Sequence, residues 1–95
     1  MSVHVIAQIH VTDREALAAY RAEAGAALAR HGGSVVAGGP VADILEAAND
    51  APTVAALLAF PSVEAARAWR EDAELAAVHE LRNRAGASTI FVIPG

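Results

Sequence analysis

The chain opens on a clean two-residue alternation. From Val3 to Val11 one set of positions carries Val3, Val5, Ala7, Ile9 and Val11, and the other carries His4, Ile6, Gln8 and His10. β-Branched residues alternating in this way form a strand with two unlike faces. Thr12-Asp13-Arg14-Glu15 follows, with the Ser/Thr-x-x-Glu spacing of a capping box that starts a helix at Thr12. The apolar period then lengthens: Leu17, Tyr20, Ala24 and Leu28 fall on one helical stripe, which stops at Gly32-Gly33. Ser34 to Ala47 reads as a long second strand, with a bulge or break at Gly38-Gly39-Pro40. Asn49-Asp50-Ala51-Pro52 supplies a turn. Thr53 to Phe60 is apolar in both phases, as a central strand covered on both sides requires. Ser62 caps a second helix through Glu64, Ala65, Ala66 and Trp69. Asp72 restarts it after a break, with Leu75, Val78, Leu81 and Ala85 as the buried stripe and Gly86 as its end. Ser88 to Ile93 forms the last strand.

Strand, helix, strand, strand, helix, strand is the split βαβ order of a ferredoxin-like α+β fold. One such domain is expected over residues 1–95: a four-stranded antiparallel sheet with helices on one face. Its other face needs cover, because the strands are apolar in both phases, as with Leu57 against Leu58 and Phe91 against Ile90 and Val92. Two sheets packed face to face across a two-fold axis, a homodimer, satisfy that need.

Composition sharpens the expectation. The 95 residues are 55% hydrophobic and only 19% charged, and the mean hydropathy is +0.35. Part of this excess is 25 alanines, which raise hydropathy while burying little area; the rest points to a covered surface. No apolar run approaches the roughly 18 residues of a membrane span. The start of the chain has no basic leader, so a cytoplasmic protein is expected. There is no cysteine, which excludes disulfide scaffolds and thiol chemistry. All seven basic residues are arginine and the net charge is -4, the opposite of a nucleic-acid footprint.

Few residues carry candidate chemistry. His4 and His10 share a strand face, but six residues at about 3.3 Å each put them roughly 20 Å apart, too far to share a metal ion. No metal site is expected. No cofactor is expected either: the paired glycines do not fit G-x-G-x-x-G, there is no phosphate-loop lysine, and H-E-x-x-H is absent. Gln8 and His10, roughly 7 Å apart on one face, can touch one ligand lying on the sheet, with His10 as base. The plainer reading leaves His10 at a strand end in water or in a dimer contact. Tyr20 either anchors its helix or donates to a ligand; Trp69 either packs in the core or lines the same pocket. Arg82, beside the buried stripe of the last helix, pairs with a carboxylate such as Glu46 or Asp13, or holds a carboxylate or enolate of a substrate. His31 suits a helix C-terminus, where imidazolium offsets the dipole, and His79 reads as an exposed or interface residue.

The run Val5-Ile6-Ala7-Gln8-Ile9-His10-Val11-Thr12-Asp13, then Tyr20, Arg30-His31-Gly32-Gly33, Gly38-Gly39, Leu45-Glu46 and Phe60-Pro61-Ser62-Val63-Glu64-Ala65-Ala66-Arg67-Ala68-Trp69 resembles the domain of unknown function 1330 family in order and spacing. The resemblance covers essentially the whole chain. It implies a dimeric α+β barrel, within a superfamily that includes cofactor-free antibiotic-biosynthesis monooxygenases, muconolactone isomerases and EthD-like proteins. Asp13, Tyr20, the two glycine pairs, Glu46, Phe60, Pro61, Ser62, Trp69 and Arg82 match its pattern. The chain departs from it at Leu17, where a tyrosine is usual, at Ala37, where an arginine is usual, and at Asp72-Ala73-Glu74-Leu75, which replaces Ser-Pro-Glu-Tyr. It also lacks a tryptophan shortly after Glu46, and has Gln8 where histidine and His10 where an acid is common.

Residues and resemblance together lead to one expectation: a dimeric small-molecule-binding protein with a pocket lined by Gln8, His10, Tyr20, Trp69 and Arg82. His10 would act as base and Arg82 as anion stabiliser in cofactor-free proton transfer of the isomerase, cyclase or monooxygenase kind. The alternative is a non-catalytic dimeric module that binds a ligand or a partner protein.

Overall fold

The alternation at the start of the chain becomes a strand with one buried and one half-exposed face. In the computed structural model, which describes residues 2–95, β1 (Val3–Val11) buries Val3, Val5, Ala7 and Ile9 and leaves His4, Ile6, Gln8 and His10 on the other side. It is followed by α1 (Arg14–Ala29), β2 (Ser34–Pro40), β3 (Val54–Phe60), α2 (Val63–Glu71), a single 3₁₀ turn (Ala73–Leu75), α3 (Ala76–Ala85) and β4 (Gly86–Pro94). The strands form one antiparallel sheet in the order β2-β3-β1-β4. This is the ferredoxin-like topology that the element order predicts, with β1 and β3 in the centre.

The caps explain the boundaries. Asp13, one residue later than the capping box suggests, caps α1 by accepting from the Ala16 amide at 3.0 Å. Gly32, just beyond α1, has a φ of +74°, the left-handed conformation glycine adopts without cost. Ser62 caps α2 through the Ala65 amide, and Asp72 accepts from the Glu74 amide to open the 3₁₀ turn, the restart its position suggests.

The second strand is shorter than expected. β2 ends at Pro40, and residues 42–50 are exposed and irregular, not strand. Proline offers no donor to continue the ladder, and β3 begins only at Val54, so the intervening chain has no strand to pair with. The register shift of β2 falls between Val35 and Ala37 rather than at the glycines.

Between the sheet and the helices lies the core: Val3, Val5, Leu28, Leu58, Phe60, Trp69 and Leu75 with Ala27 and Ala66. Among the described residues no element covers the opposite face of the sheet. Strand register places His4, Ile6, Gln8 and His10 there beside Ala55, Leu57 and Ala59 of β3 and Ala87, Thr89, Phe91 and Ile93 of β4. The helical face of the sheet is thus covered by helices and its other face is open.

α3 runs into β4 with no loop, and Gly86 makes that junction possible. A Cβ at this position would overlap the His10 carbonyl oxygen and press on the Val11 Cα. Both are backbone atoms of the central strand, which cannot rotate away as a side chain can. Gly86→Ala is therefore expected to cost about 3 kcal/mol or more in urea unfolding. A loss below about 0.5 kcal/mol would show that the junction has slack.

Candidate functional site

A cleft opens in the helical layer beneath α1. Along α1, Leu17, Tyr20, Arg21, Ala24, Gly25 and Leu28 recur at helical spacing and form its roof. Ala7 and Ile9 of β1, Val54, Ala56 and Leu58 of β3, and Val35, Gly38 and Pro40 of β2 form the floor, and Arg82 of α3 forms one wall. The cleft measures about 500 Å³, within the range of small-molecule sites. Its volume follows from composition: Ala7, Ala56 and Gly38 below, and Ala24 and Gly25 above, do not project far enough to fill the space between helix and sheet. The alanine excess thus makes a cavity as well as raising hydropathy.

Arg82 dominates the electrostatics of the site. Its side chain lies among the largest fully buried ones, and the residue is 1% exposed. The guanidinium carbon stands 5.6 Å from the ring centre of Tyr20 and 5.6 Å from that of Trp69, within cation–π range of both. Its Nη1 donates to Nδ1 of His79 at 2.7 Å, while its Nε has no partner. The pairing with Glu46 or Asp13 is not formed. Asp13 is committed to capping α1, and Glu46 lies in the exposed segment after β2.

His79 is the residue the sequence misplaced. It is 3% exposed, not at the surface, and its Nε2 lies 2.9 Å from the Trp69 carbonyl oxygen. A carbonyl can only accept and a guanidinium can only donate, so the imidazole must carry its hydrogen on Nε2 and receive Arg82 at Nδ1. Its edge meets the Trp69 ring, centre to centre 4.9 Å. The signal was present in the i, i+3 spacing of His79 and Arg82 alongside the buried Leu75 and Val78.

Burial holds the His79 pKa below the usual imidazole value; the hydrogen bond to the Trp69 carbonyl opposes this, the charges of Arg82 and Arg70 reinforce it, and Asp72 opposes it. A lowered native pKa means that the unfolded chain binds more protons below the ordinary value of about 6.5. Stability from this group is complete above that value and is lost as the pH falls from there toward the native pKa. Urea unfolding between neutral pH and pH ~5 is expected to show the decline, and His79→Gln to lack this part of it. Equal slopes in the two proteins would contradict the assignment.

The five residues singled out from the sequence separate into two groups. Tyr20 and Arg82 line the cleft. Trp69 stands behind Arg82 in the core, 2% exposed and tilted against Phe60 at 5.5 Å. Gln8 and His10, expected in the same pocket, sit on the open face, because strand alternation puts them on the side opposite Ala7 and Ile9. The sheet stands between them and the cleft. His31 pairs with Asp72, Nε2 to Oδ2 2.8 Å, and Arg30 binds the same carboxylate at 3.1 Å, tying the end of α1 to the start of the 3₁₀ turn. Among the described residues no three His, Cys, Asp or Glu gather to hold a metal ion, and no helix is long and apolar enough to cross a membrane.

Comparison with known structures gives the same fold at low sequence identity. A protein of unknown function from Rhodopseudomonas palustris is 20% identical with a TM-score of 0.77, covering 99% of this chain and 82% of its own. A dimeric ferredoxin-like protein of unknown function from Jannaschia sp. CCS1 is 10% identical with a TM-score of 0.79, over 100% of both chains. SnoaB, a cofactor-independent oxygenase from Streptomyces nogalater, is 13% identical with a TM-score of 0.71, covering 99% of this chain and 92% of its own. No curated protein matches by sequence. The family model for the domain of unknown function DUF1330 matches residues 2–95. The chain, from its first strand to its last, belongs to the DUF1330 family.

Proposed function

We propose that the protein binds a small, largely apolar organic molecule in the cleft beneath α1 and promotes cofactor-free proton transfer on it, of the isomerase, cyclase or monooxygenase kind. The observation that carries this reading is the meeting of Tyr20 and the buried Arg82 in a largely apolar cleft of about 500 Å³, whose one other charged residue is the exposed Arg21. Loss of a proton beside a carbonyl, or from a phenol, leaves negative charge on oxygen. A guanidinium already in place in a low-dielectric wall stabilises that charge. No carboxylate or imidazole lines the cleft, so the proton leaves through the Tyr20 hydroxyl or directly to water at the open side. The likeness to a cofactor-independent oxygenase supports the reaction class by analogy of fold.

Gln8 and His10 belong, in this reading, to a homodimer contact. The open face carries Ile6, Leu57, Phe91 and Ile93, and a second copy packed across it would cover all four. Several similar structures are described as dimeric. Light scattering at micromolar concentration should give twice the 9.7 kDa chain mass, and Phe91→Asp should shift it toward one. A wild-type monomer would reject the contact.

Proton transfer is tested by deuterium uptake at the α-carbons of 2-tetralone in heavy water, followed by NMR. The control is Gly25→Trp: a Cβ at Gly25 meets nothing within 4 Å, and the residue is an exposed one in the cleft's lining, so an indole there is expected to block the site without disturbing the core. Wild type should exchange faster than buffer, with Gly25→Trp close to buffer. Binding without exchange favours the second reading, a non-catalytic module, which the lack of a carboxylate or imidazole base in the cleft also supports.

A further inference from the structure

Arg82 is a buried cation with no anion. The ion pairs among the described residues join Arg30 to Asp72 and Glu74 and His31 to Asp72, all at the C-terminal end of α1, and none reaches Arg82. Burying an unpaired charge costs several kcal/mol. The rings of Tyr20 and Trp69 offset part of that cost, but neither supplies an acceptor atom for the guanidinium. Among the described residues two buried side-chain polar atoms lack a partner, Arg82 Nε and Trp69 Nε1, and both are donors. Arg82 therefore brings a positive charge and an unpaired N–H to the wall of the cleft, whose lining holds no carboxylate.

The group that does meet Arg82 is informative. Guanidinium is usually oriented by a carboxylate, which would also neutralise it. Here the acceptor is Nδ1 of His79, fixed in that role because Nε2 is engaged by the Trp69 carbonyl. An imidazole held in this tautomer aims the guanidinium and leaves its charge whole.

We infer that the occupant of the cleft is an organic monoanion, an apolar body bearing one carboxylate or enolate that completes the coordination of Arg82, and that His79 is the positioning residue that aims Arg82 at it. The inference rests on the small-molecule reading above and narrows it. Leu17, Leu28, Val54 and Leu58 face the apolar body. One buried guanidinium matches one negative charge held within the cleft; the second arginine of the lining, Arg21, is exposed to water at the roof, where its charge is screened.

The test uses a matched pair of probes, 2-naphthoate and 2-naphthamide, which differ in charge but hardly in shape. Calorimetric titration of the wild-type protein at neutral pH should show the acid at least about tenfold tighter than the amide. Arg82→Gln should abolish that preference by weakening the acid alone. His79→Gln can accept from Arg82 and donate to the Trp69 carbonyl at once, so it should keep the preference. His79→Leu offers no acceptor and should weaken the acid about tenfold while leaving the amide unchanged. Where His79→Leu does not fold, His79→Asn, too short to reach both partners, takes its place. Equal binding of acid and amide by wild type overturns the anion inference and leaves the small-molecule reading standing. Binding of neither overturns the small-molecule reading itself. A folded His79→Leu protein with undiminished preference removes the positioning role.

Discussion

Trp69→Ala is expected to cost about 3–5 kcal/mol of folding stability. The indole is 2% exposed, belongs to the core cluster with Phe60, Leu28 and Leu75, and is flanked by the Phe60 ring at 5.5 Å and the His79 ring at 4.9 Å. Removing it opens a void that the rigid sheet on one side and the α3 backbone on the other cannot close. A domain of this length is stable by roughly 5–14 kcal/mol in all, so the variant keeps only a part of that. Urea unfolding followed by circular dichroism measures the loss, and Trp69→Phe, which keeps most of the volume, should lose much less. The result separates two roles. A Trp69→Ala protein of near wild-type stability that has lost ligand binding would make the indole a ligand contact, not a core pillar.

Arg82→Met should have the opposite profile: a large loss of anion binding with little loss of stability. For a buried arginine in a structural ion pair, truncation costs about 3–5 kcal/mol, because the partner charge is left stranded. Arg82 has no such partner. Its removal relieves a desolvation cost of several kcal/mol, forfeits cation–π contacts of about 1–2 kcal/mol each with Tyr20 and Trp69, and leaves His79 Nδ1 unpaired at about 1–3 kcal/mol. These terms nearly cancel, so the variant should unfold within about 1 kcal/mol of wild type. Methionine reproduces the apolar stem of arginine as far as Nε, which keeps most of the wall of the cleft in place. A near-neutral change marks a residue kept for what it binds, whereas a loss of 3 kcal/mol or more would mark it as structural.

Local chemistry accounts for most of the architecture. The alternation of Val3 to Val11 specified which residues of β1 face the helices, Ser62 and Asp72 started elements where their side chains could accept from free amides, and Gly32 and Gly86 ended the helices. The double-sided hydrophobicity of Thr53 to Phe60 marked a central strand, and β3 lies between β2 and β1. Residues 42–47 read as strand because their composition permits one, but whether a strand forms depends on a neighbour to pair with, which β3 does not provide there. The sequence places His79 at the surface or an interface because a polar residue in mid-helix has no periodicity of its own. Its burial comes from the Trp69 carbonyl and the Arg82 guanidinium, contributed by α2 and α3.

The candidate site was legible by residue but not by arrangement. Tyr20, Trp69 and Arg82 stood out because a lone tyrosine, a lone tryptophan and an arginine beside an apolar stripe each need a physical reason. Gln8 and His10 stood out as polar residues in an apolar strand, and nothing local tells which side of the finished sheet holds the cleft. The amino-acid order by itself determined the strands, the helices and the two faces of β1, because hydrophobic period and capping act within a few residues. Only tertiary structure decided that α1 would stand off from β3 over small side chains, that His79 would meet Arg82, and that His10 would face away from both. Those outcomes depend on how far apart whole elements pack and on which buried donors find acceptors, and both are set by residues distant in the chain.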